Sequence, residues 1–509
     1  MREMRKDIWR YLLYVSITTL WIAVIAIVPD FLDNPITNVQ GVVTILTYVI
    51  AISIVSFLWL YIIALNKYVA MILVPLYGVI GAAVSYYRVM YRVTITPLIL
   101  DCILHTNIEE VVGVVTWSMV LWVVLNLCLG IAFVIWRMRI PAPKYAWAHA
   151  LCAIISFLGY YHCNSRLHQS INQRYPMHIA ESMHQHLWIQ QQRQSPHVVP
   201  QYNVLLPLDT LDIIVVIGES VRADHLSLNS YKRTTTPLLE RRPNVVSLPH
   251  VYTEQTHTLA SVPMLLTRAD SLHPEFQFTE TSFAAILRNE GYHTAWISNQ
   301  DLGETFASFP AECDTMIWAN AGKSVFVFSG WFDEELLPYM DKQLDLNYSK
   351  NLVILHTIGS HWYYNNHVPK VHHYFNPTTN DRVVTNNTSK QVINSYDNTI
   401  RYMDFVLDSI IQRIEHRCAI LFYISDHGES LGEEGYWLHA AGADATKNPA
   451  CIVWYSNMFA QHYPEKVRTL RHNSQQRYRT DLLFHSVLDA AEISVLDTEQ
   501  TKMNIFKIQ

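Results

Sequence analysis

The sequence predicts a helical membrane domain followed by an α/β domain whose mostly parallel sheet is sandwiched by helices. Three observations support this fold class. The first third of the 509-residue chain carries long uncharged apolar segments. From about residue 210, short apolar segments alternate with helical patterns. Several of these short segments end at polar, chemically capable residues. The mild formal charge of −6 does not indicate nucleic-acid binding.

Apolar segments in the first third predict five membrane helices. They lie at 11–28, 42–65, 68–87, 111–136 and 145–161. About 20 apolar residues suffice to cross a bilayer, and the first, second and fourth segments are long and uncharged. Such segments in series are unusual in soluble proteins. We therefore expect a transmembrane domain over residues 1–165.

The charges of the short loops predict the orientation of these helices. Basic residues precede the first helix or lie between the second and third and the fourth and fifth: Arg2, Arg5, Lys6, Arg10, Lys67, Arg137, Arg139 and Lys144. The opposite side has only Arg88 and Arg92. The positive-inside rule then predicts a cytoplasmic N-terminus. After five crossings, the chain beyond about residue 165 lies outside the cytoplasm.

The outer part is predicted to have a linker and one domain. Residues 166–208 are polar, with amphipathic pieces that could lie on the membrane surface. In 209–509, continuous apolar segments predict strands buried on both faces, as in a parallel sheet. They begin at 211, 293, 351, 418 and 451, and helical patterns at 282–291 and 396–416 lie between them. The alternation predicts a three-layer α/β domain.

Polar side chains follow four of the predicted strands. They are Glu219 and Ser220, Asn299 and Gln300, His361, and Asp426 and His427. Open α/β sheets bind ligands at the carboxyl ends of their strands. The sequence therefore predicts a site of carboxylates and imidazoles at one edge of the sheet.

The segment "ISDHGESLGEEGYWLH" at 424–439 is the sharpest indication of a metal site. It supplies Asp426, His427 and, twelve residues later, His439. Carboxylate oxygen beside imidazole nitrogen suits Zn²⁺ or Mn²⁺. Alternatively, Asp426 caps a helix and His427 lies on the surface.

A metal could activate a hydroxyl in "TEQTHTLASVP", residues 253–263. The candidates are Thr253, Thr256, Thr258 and Ser261. Coordination lowers the pKa of a bound oxygen by several units. Spacing does not choose among the four, and each hydroxyl could equally serve as a helix cap or in a turn.

The sequence resembles the membrane-bound phosphoethanolamine transferases of Gram-negative bacteria, within the alkaline phosphatase and sulfatase superfamily. The resemblance covers nearly the whole chain. The matching segments are "VVIGESVRADHLSLNSYKRTTTP" at 215–237, "TEQTHTLASVPMLLTR" at 253–268, "LHTIGSHWYY" at 355–364, "NSYDNTIRYMD" at 394–404 and "SDHGESLGEEGYWLH" at 425–439. It implies an alkaline phosphatase/sulfatase-type fold for the α/β domain.

The resemblance also implies roles for individual residues. Thr256 would be the nucleophile. The ligands of a zinc ion would be Glu219, Thr256, Asp426 and His427. His361 and His439 would hold a second metal or the transferred phosphate, so one or two Zn²⁺ ions are expected, with Mn²⁺ as the alternative. Asn107 and Glu110 would lie near the donor headgroup.

The implied reaction is a double displacement through a phosphothreonine. Phosphatidylethanolamine would be the donor and diacylglycerol would leave. The acceptor would be a lipid A phosphate, a lipopolysaccharide core sugar or another envelope glycan. The implied location is the bacterial inner membrane, with a periplasmic catalytic domain, and we expect a monomer.

The sequence also departs from the family pattern. Relatives often carry Cys-Gly where Glu254 and Gln255 stand, and a serine and lysine near the positions of Asp301 and Glu304. The segment 371–390, often cysteine-bearing in relatives, has no cysteine. The family's usual disulfides are therefore mostly missing, and the acceptor-facing surroundings differ.

Other functions also fit this architecture. A phosphoglycerol transferase also has five helices and a threonine nucleophile. A membrane-anchored sulfatase or phosphodiesterase would pass the group to water, but the Cys/Ser-x-Pro-x-Arg context of sulfatases is absent. An inactive membrane sensor would not need all six predicted site residues.

Overall fold

The computed structural model describes most of the chain. The described residues are 2–29, 31, 39–91, 95, 99–100, 103, 115–163, 175–193, 197–206, 209–300, 308–319, 330–439, 442–496 and 503–508. They divide into two compact units, one up to Trp188 and one from Ile189 onward. The predicted headgroup residues Asn107 and Glu110 lie outside the described residues, as do Asp301 and Glu304.

The first unit is helical. Its helices are α1 Arg2–Ile27, α2 Val39–Leu65, α3 Lys67–Tyr91, α4 Trp117–Met138, α5 Ala146–Cys163 and α6 Met177–Arg193, which runs on past the unit's end. Four helical segments in the described part of the chain are long and apolar enough to cross a membrane: Lys6–Ile27, Ile45–Leu65, Lys67–Tyr91 and Trp117–Met138. The predicted fifth span corresponds to the 18-residue α5, which is not among the four. Five crossings and their orientation stay predictions.

Helix α4 begins later than the sequence pattern indicated. Thr116 is its N-cap, and the Thr116 hydroxyl accepts a hydrogen bond from the amide of Met119 at 3.1 Å. An N-cap hydroxyl satisfies an amide that has no partner within the helix. The helix therefore starts at Trp117, although the apolar segment begins at residue 111.

Arg137 near the end of α4 is buried rather than exposed. Its guanidinium donates to the carbonyls of Ala64 and Ile140, each at 2.6 Å, and of Leu65 at 3.4 Å. The last carbonyls of a helix have no partner within that helix. Arg137 therefore caps the end of α2.

Helix α6 lies in the predicted linker. Its polar residues His178, Ser182 and His186 are buried. Leu187 and Trp188 are exposed, as are the polar His184 and Gln185. Its placement on the membrane surface stays a prediction.

The second unit is an α/β domain. Its strands are β1 Tyr202–Val204, β2 Leu211–Gly218, β3 Val245–Ser247, β4 Val251–Tyr252, β5 His293–Ser298, β6 Thr315–Trp318, β7 Lys350–His356, β8 Ala419–Ser425, β9 Ser430–Leu431, β10 Trp437–Leu438, β11 Cys451–Tyr455, β12 Tyr478–Arg479 and β13 Ile493–Val495. Its helices are α7 Thr258–Leu266, α8 Phe276–Thr279, α9 Phe283–Asn289, α10 Leu337–Leu344, α11 Ser389–Ile414, α12 Asn457–His462, α13 Pro464–Asn473 and α14 Leu482–Ala490.

The main sheet has seven strands in the order β3-β11-β8-β2-β7-β5-β6. Strands β8, β2, β7 and β5 are parallel, as predicted, and β6, which was not predicted, pairs parallel with β5. The expectation that Cys451–Tyr455 is also parallel is wrong, because β11 pairs antiparallel with β8 and with β3. All five residues of β11 are buried, so its continuous apolar pattern reflects burial on both faces and not strand direction.

Helices cover both faces of this sheet. The alternate residues Ile213, Val215 and Ile217 of β2 belong to a core shared with α7, α9 and α14. Their neighbours Ile214 and Val216 are equally buried and point to the opposite face, where α10 packs on β5 and β7. The predicted three-layer arrangement is confirmed.

The parallel order brings the predicted polar strand ends to one edge. Strands β8, β2, β7 and β5 are consecutive neighbours in the sheet. Glu219 directly follows β2, Asp426 directly follows β8, and Gln300 and His361 follow β5 and β7. The candidate site is therefore assembled from distant parts of the sequence by strand order.

The loop that follows β7 lies against the start of this site. The buried Asp333 carboxylate accepts hydrogen bonds from the amides of Ile358 at 2.9 Å and Gly359 at 3.0 Å. Gly359 has a φ of +48°, and a Cβ there would lie 2.9 Å from the carbonyl oxygen of Glu219. Glycine is required both by the left-handed backbone and by the close approach.

We expect Gly359→Ala to lower the free energy of unfolding by about 1–3 kcal/mol more than Gly435→Ala does. Of these two positions, only 359 has atoms within contact distance of an added Cβ. Gly435 is a matched control: its φ is +80°, but no atom lies within 4 Å of a Cβ built there. Urea unfolding followed by tryptophan fluorescence measures the difference. Equal losses in the two variants would contradict the steric argument.

Candidate metal site

Two buried carboxylates form the centre of the candidate site. Glu219 and Asp426 are both fully buried. Ser220, at a φ of 61°, joins them: its amide donates to Asp426 Oδ1 at 3.1 Å and its hydroxyl donates to Glu219 Oε1 at 2.7 Å. Adjacent strand ends thus place two acidic groups together away from solvent.

The His427 ring faces both carboxylates. Its Nδ1 donates to the Gly428 carbonyl at 2.8 Å, which leaves Nε2 as the nitrogen with a lone pair. Nε2 lies 3.3 Å from Asp426 Oδ2 and 3.5 Å from Glu219 Oε1. Within the described residues, neither Nε2 nor Asp426 Oδ2 has a hydrogen-bond partner. Each unsatisfied buried atom costs roughly 1–3 kcal/mol, which a cation bound between them would offset.

His439 lies in the same cluster. Its ring centroid is 4.5 Å from that of His427, and ligand atoms of Glu219, His427 and His439 lie within 4.8 Å of one another. Its Nδ1 is 3.0 Å from Glu429, a buried carboxylate that also accepts from the Tyr364 hydroxyl at 2.8 Å. The resemblance assigned His439 to a second ion or to phosphate; its position also makes it a candidate ligand of the first ion.

His361 approaches the cluster from the loop after β7. Its ring centroid is 6.0 Å from that of His439, and its Nδ1 is 2.7 Å from the Trp362 carbonyl. In His361, His427 and His439, Nδ1 is therefore next to an oxygen. This is the arrangement that orients metal-binding histidines through Nε2. Carboxylate oxygen and imidazole nitrogen are donors that fit Zn²⁺, and also Mn²⁺.

The electrostatics of the central residues also favour a cation. Burial raises the pKa of Asp426, and the charge of Glu219 raises it further. Burial alone would raise the pKa of Glu219, but the nearby histidines, chiefly His427, lower it. Burial by itself would lower the pKa of His427. The negative charges of Asp426 and Glu219 have the larger effect, so the pKa of His427 is raised. The metal-free group therefore retains protons that a divalent ion would displace.

The four candidate hydroxyls in residues 253–263 differ in their hydrogen-bond partners. Thr253 and Ser261 donate to the Gln255 carbonyl at 3.1 and 3.2 Å. Thr258 donates to Glu219 Oε2 at 2.8 Å. Among the residues that the structure describes, Thr256 Oγ1 has one hydrogen-bond contact, at 3.3 Å to His257 Nδ1. In this part of the chain, the other three hydroxyls are therefore bonded to protein oxygens, and that of Thr256 is not.

His257 was not among the site residues predicted from the sequence. It is buried, its Nε2 has no partner among the described residues, and its ring centroid is 6.0 Å from that of His439. Burial lowers the pKa of His257 to about 3, helped by His439 and His427. Its position between two candidate threonines was the available signal.

Three further contacts were not predicted. They are the bonds of Ser220 and Thr258 to Glu219 and the orientation of His439 by Glu429. Gln300, predicted only as a strand-end residue, donates to Glu219 Oε2 at 3.2 Å. Such contacts depend on how loops from different strands meet, which a single sequence does not reveal.

Two family models match the chain. The model described as Sulfatase matches residues 212–493. The model described as Phosphoethanolamine transferase EptA/EptB matches residues 49–163. Between them they cover parts of both structural units.

Curated relatives include phosphoethanolamine transferases. The phosphoethanolamine transferase EptA of Salmonella typhimurium is 26% identical, over 90% of this chain and 88% of the relative. EptA of Escherichia coli K12 is 30% identical, over 54% of this chain and 52% of the relative. The Kdo(2)-lipid A phosphoethanolamine 7''-transferase of Salmonella typhimurium is 29% identical, over 54% and 50%. The chain thus spans about half the length of the latter two relatives.

Solved structures share the fold. The integral membrane lipooligosaccharide phosphoethanolamine transferase A (EptA) of Neisseria meningitidis matches with a TM-score of 0.78 at 24% identity, over 97% of both chains. The periplasmic domain of Escherichia coli EptC, in complex with Zn, matches with a TM-score of 0.55 at 23% identity, over 61% of this chain and 90% of that domain. The predicted fold class is confirmed. Because the sulfatase model matches more than half of the chain and the EptA/EptB model matches its N-terminal part, the chain belongs to the sulfatase family, among its membrane-bound phosphoethanolamine transferases.

Proposed function

We propose that the protein transfers phosphoethanolamine from phosphatidylethanolamine to an envelope glycolipid, with Thr256 as the covalent carrier. One observation carries the proposal. Of the four hydroxyls in the loop beside the buried Glu219, that of Thr256 alone is not bonded to an oxygen of the described residues. Relatives of the chain are phosphoethanolamine transferases, which supports the same group transfer.

The reaction has two displacements at phosphorus. In the first, Thr256 Oγ1 forms a bond to phosphorus while the bond from phosphorus to the diacylglycerol oxygen breaks. The hydroxyl proton leaves Thr256 and the diacylglycerol oxygen gains a proton. In the second, an acceptor oxygen forms the new bond to phosphorus, and Thr256 leaves and recovers its proton.

The residues of the candidate site have separate tasks in this scheme. Glu219, Thr256, Asp426 and His427 would hold a Zn²⁺ ion, with Mn²⁺ as the alternative. When bound, the ion supplies positive charge that favours an ionised hydroxyl and stabilises the crowded anionic transition state. His361 and His439 would hold a second ion or the transferred phosphate. Asn107 and Glu110 would contact the donor headgroup.

The proposed location follows from the substrates. Donor and acceptor are lipids, so a membrane anchor keeps the enzyme with both. We place the protein in the bacterial inner membrane, as a monomer with a cytoplasmic N-terminus and a periplasmic catalytic domain. The acceptor is a lipid A phosphate, a core sugar or another envelope glycan. The relative in Salmonella typhimurium that is a Kdo(2)-lipid A phosphoethanolamine 7''-transferase supports this acceptor class.

Mass spectrometry of envelope lipids and glycans, from cells with and without the protein, tests the proposal directly. A mass gain of one phosphoethanolamine identifies both the group and the acceptor. A phosphoglycerol gain would overturn the proposal in favour of a phosphoglycerol transferase. Hydrolysis without any gain would favour a sulfatase or phosphodiesterase.

We expect Thr256→Ala to reduce transfer by more than about 10³-fold, because the covalent step needs this hydroxyl. Thr253→Ala is the matched control. It removes a neighbouring hydroxyl whose bonds, among the described residues, are with the Gln255 backbone, and Ser261 still donates to the Gln255 carbonyl, so activity should stay within about tenfold. Release of fluorescent diacylglycerol from a labelled phosphatidylethanolamine measures both. An active Thr256→Ala variant in this assay would exclude Thr256 as the carrier.

We expect His427→Asn to weaken zinc binding by more than about 100-fold, because the variant removes a proposed ligand. His225→Asn serves as the control: His225 is also a buried histidine, but its Nδ1 lies 2.7 Å from Asp397, outside the candidate site. Zinc per protein, measured by mass spectrometry of the metal, should fall only in the first variant. Chelation should abolish transfer and added zinc should restore it. Equal zinc in both variants would contradict the assigned ligands.

Zinc affinity should fall as pH decreases. The ligands must lose their protons before the metal binds. The pKa of His427 is raised by the two carboxylates, so this ring takes up its proton at a higher pH than the ordinary histidine value of about 6.5. Competition with a zinc-sensing chelator from about pH 8 down to about pH 5 measures the change. An affinity that is constant over this range, or rises in acid, would contradict the expectation.

A further inference from the structure

His257 directly follows Thr256 and lies beside its hydroxyl. Its Nδ1 is 3.3 Å from Thr256 Oγ1. This is the sole hydrogen-bond contact of that hydroxyl among the residues that the structure describes. Thr256 and His257 are 7% and 8% exposed, so water hardly competes for the contact.

The start of α7 fixes the backbone of His257. The residue is the N-cap of this helix, with φ −141° and ψ 137°. Its carbonyl accepts from the amides of Ala260 at 3.0 Å and Ser261 at 2.9 Å. On its other side the ring packs edge-to-face against His439, with 6.0 Å between centroids. The imidazole therefore has the Thr256 hydroxyl beside its Nδ1 and the His439 ring packed against it.

The second ring nitrogen indicates that the His257 imidazole does not stabilise the fold. Nε2 is buried without a partner in the described part of the chain. A buried polar atom without a partner costs stability, so an apolar ring of the same size would suit the fold at least as well. The polar contact that remains to explain the histidine is the one with Thr256.

We propose that His257 is a positioning residue that accepts a hydrogen bond from the Thr256 hydroxyl through Nδ1 and so fixes the direction of Oγ1. This inference rests on the proposed function, in which Thr256 attacks phosphorus. A threonine side chain has three staggered rotamers, and the hydrogen bond selects one. With the hydroxyl hydrogen directed to Nδ1, the lone pairs of Oγ1 face away from the ring. A displacement of the attacking atom by about 1 Å can cost about 10²-fold in rate.

Three variants of the full chain test the inference. His257→Asn keeps a polar atom near the place of Nδ1, His257→Gln keeps one near the place of Nε2, and His257→Phe keeps the ring shape alone. The assay follows release of fluorescent diacylglycerol from labelled phosphatidylethanolamine in detergent micelles. It separates kcat from KM. Zinc per protein, Tm and the mass gain on Thr256 are measured in parallel.

His257→Gln and His257→Phe should lose on the order of 10²-fold in kcat with KM unchanged, because the attacking atom is misplaced. His257→Asn should stay within about tenfold of the unmodified protein, since one hydrogen bond is retained. Zinc content should be the same in all three. The Tm of His257→Phe should not fall, because the variant removes an unsatisfied nitrogen.

Several outcomes would overturn the inference. Full activity in all three variants would mean that the contact has no role. Activity retained by His257→Gln and lost by His257→Asn would assign the effect to Nε2. Zinc loss in proportion to activity would assign it to the metal. If the unmodified protein forms neither diacylglycerol nor a mass gain on Thr256, the proposed function itself fails, and the inference fails with it.

Discussion

The burial of two carboxylates side by side is the constraint on which the candidate site depends. Glu219 and Asp426 are buried because β2 and β8 are neighbours in parallel register, with Gly218 opposite Ser425. Charges removed from water are costly unless they are paired and hydrogen-bonded. Ser220 supplies one hydrogen bond to each carboxylate, and His427 lies between them. The atoms that remain without a partner among the described residues, Asp426 Oδ2 and His427 Nε2, favour a cation at this site.

Other acidic side chains fix the loops around this pair. Asp333 holds the amides that precede His361. Glu429 orients His439, and Glu219 itself accepts from Thr258 at the first turn of α7. Each contact joins a strand-end loop to a buried acceptor. The loop that carries Thr256 is thus attached to the same carboxylate that the metal would use, so we expect metal binding to affect the position of the proposed nucleophile.

The sequence predicted the parts of this site that depend on strand order. Continuous apolar segments end in Glu219 and in Asp426-His427. These residues are predicted to lie close together, because the carboxyl ends of parallel strands meet at one edge of the sheet.

The direction of β11 was not predictable from the sequence, since burial on both faces gives the same apolar pattern in either direction. The predicted start of α11 was seven residues too late, because Thr388 and Gln391 form a capping box that begins the helix at Ser389. The ranking of the four hydroxyls and the position of His257 depend on hydrogen bonds within one loop, which composition does not specify.

The turn before Thr256 has a consequence for how the protein matures. Many relatives carry Cys-Gly at the positions of Glu254 and Gln255. Here the Gln255 carbonyl accepts from the hydroxyls of Thr253 and Ser261 instead. Hydrogen bonds of this kind form without an oxidant, whereas disulfides depend on the redox state of the compartment. The two hydrogen bonds that shape the loop before Thr256 therefore do not require thiol oxidation.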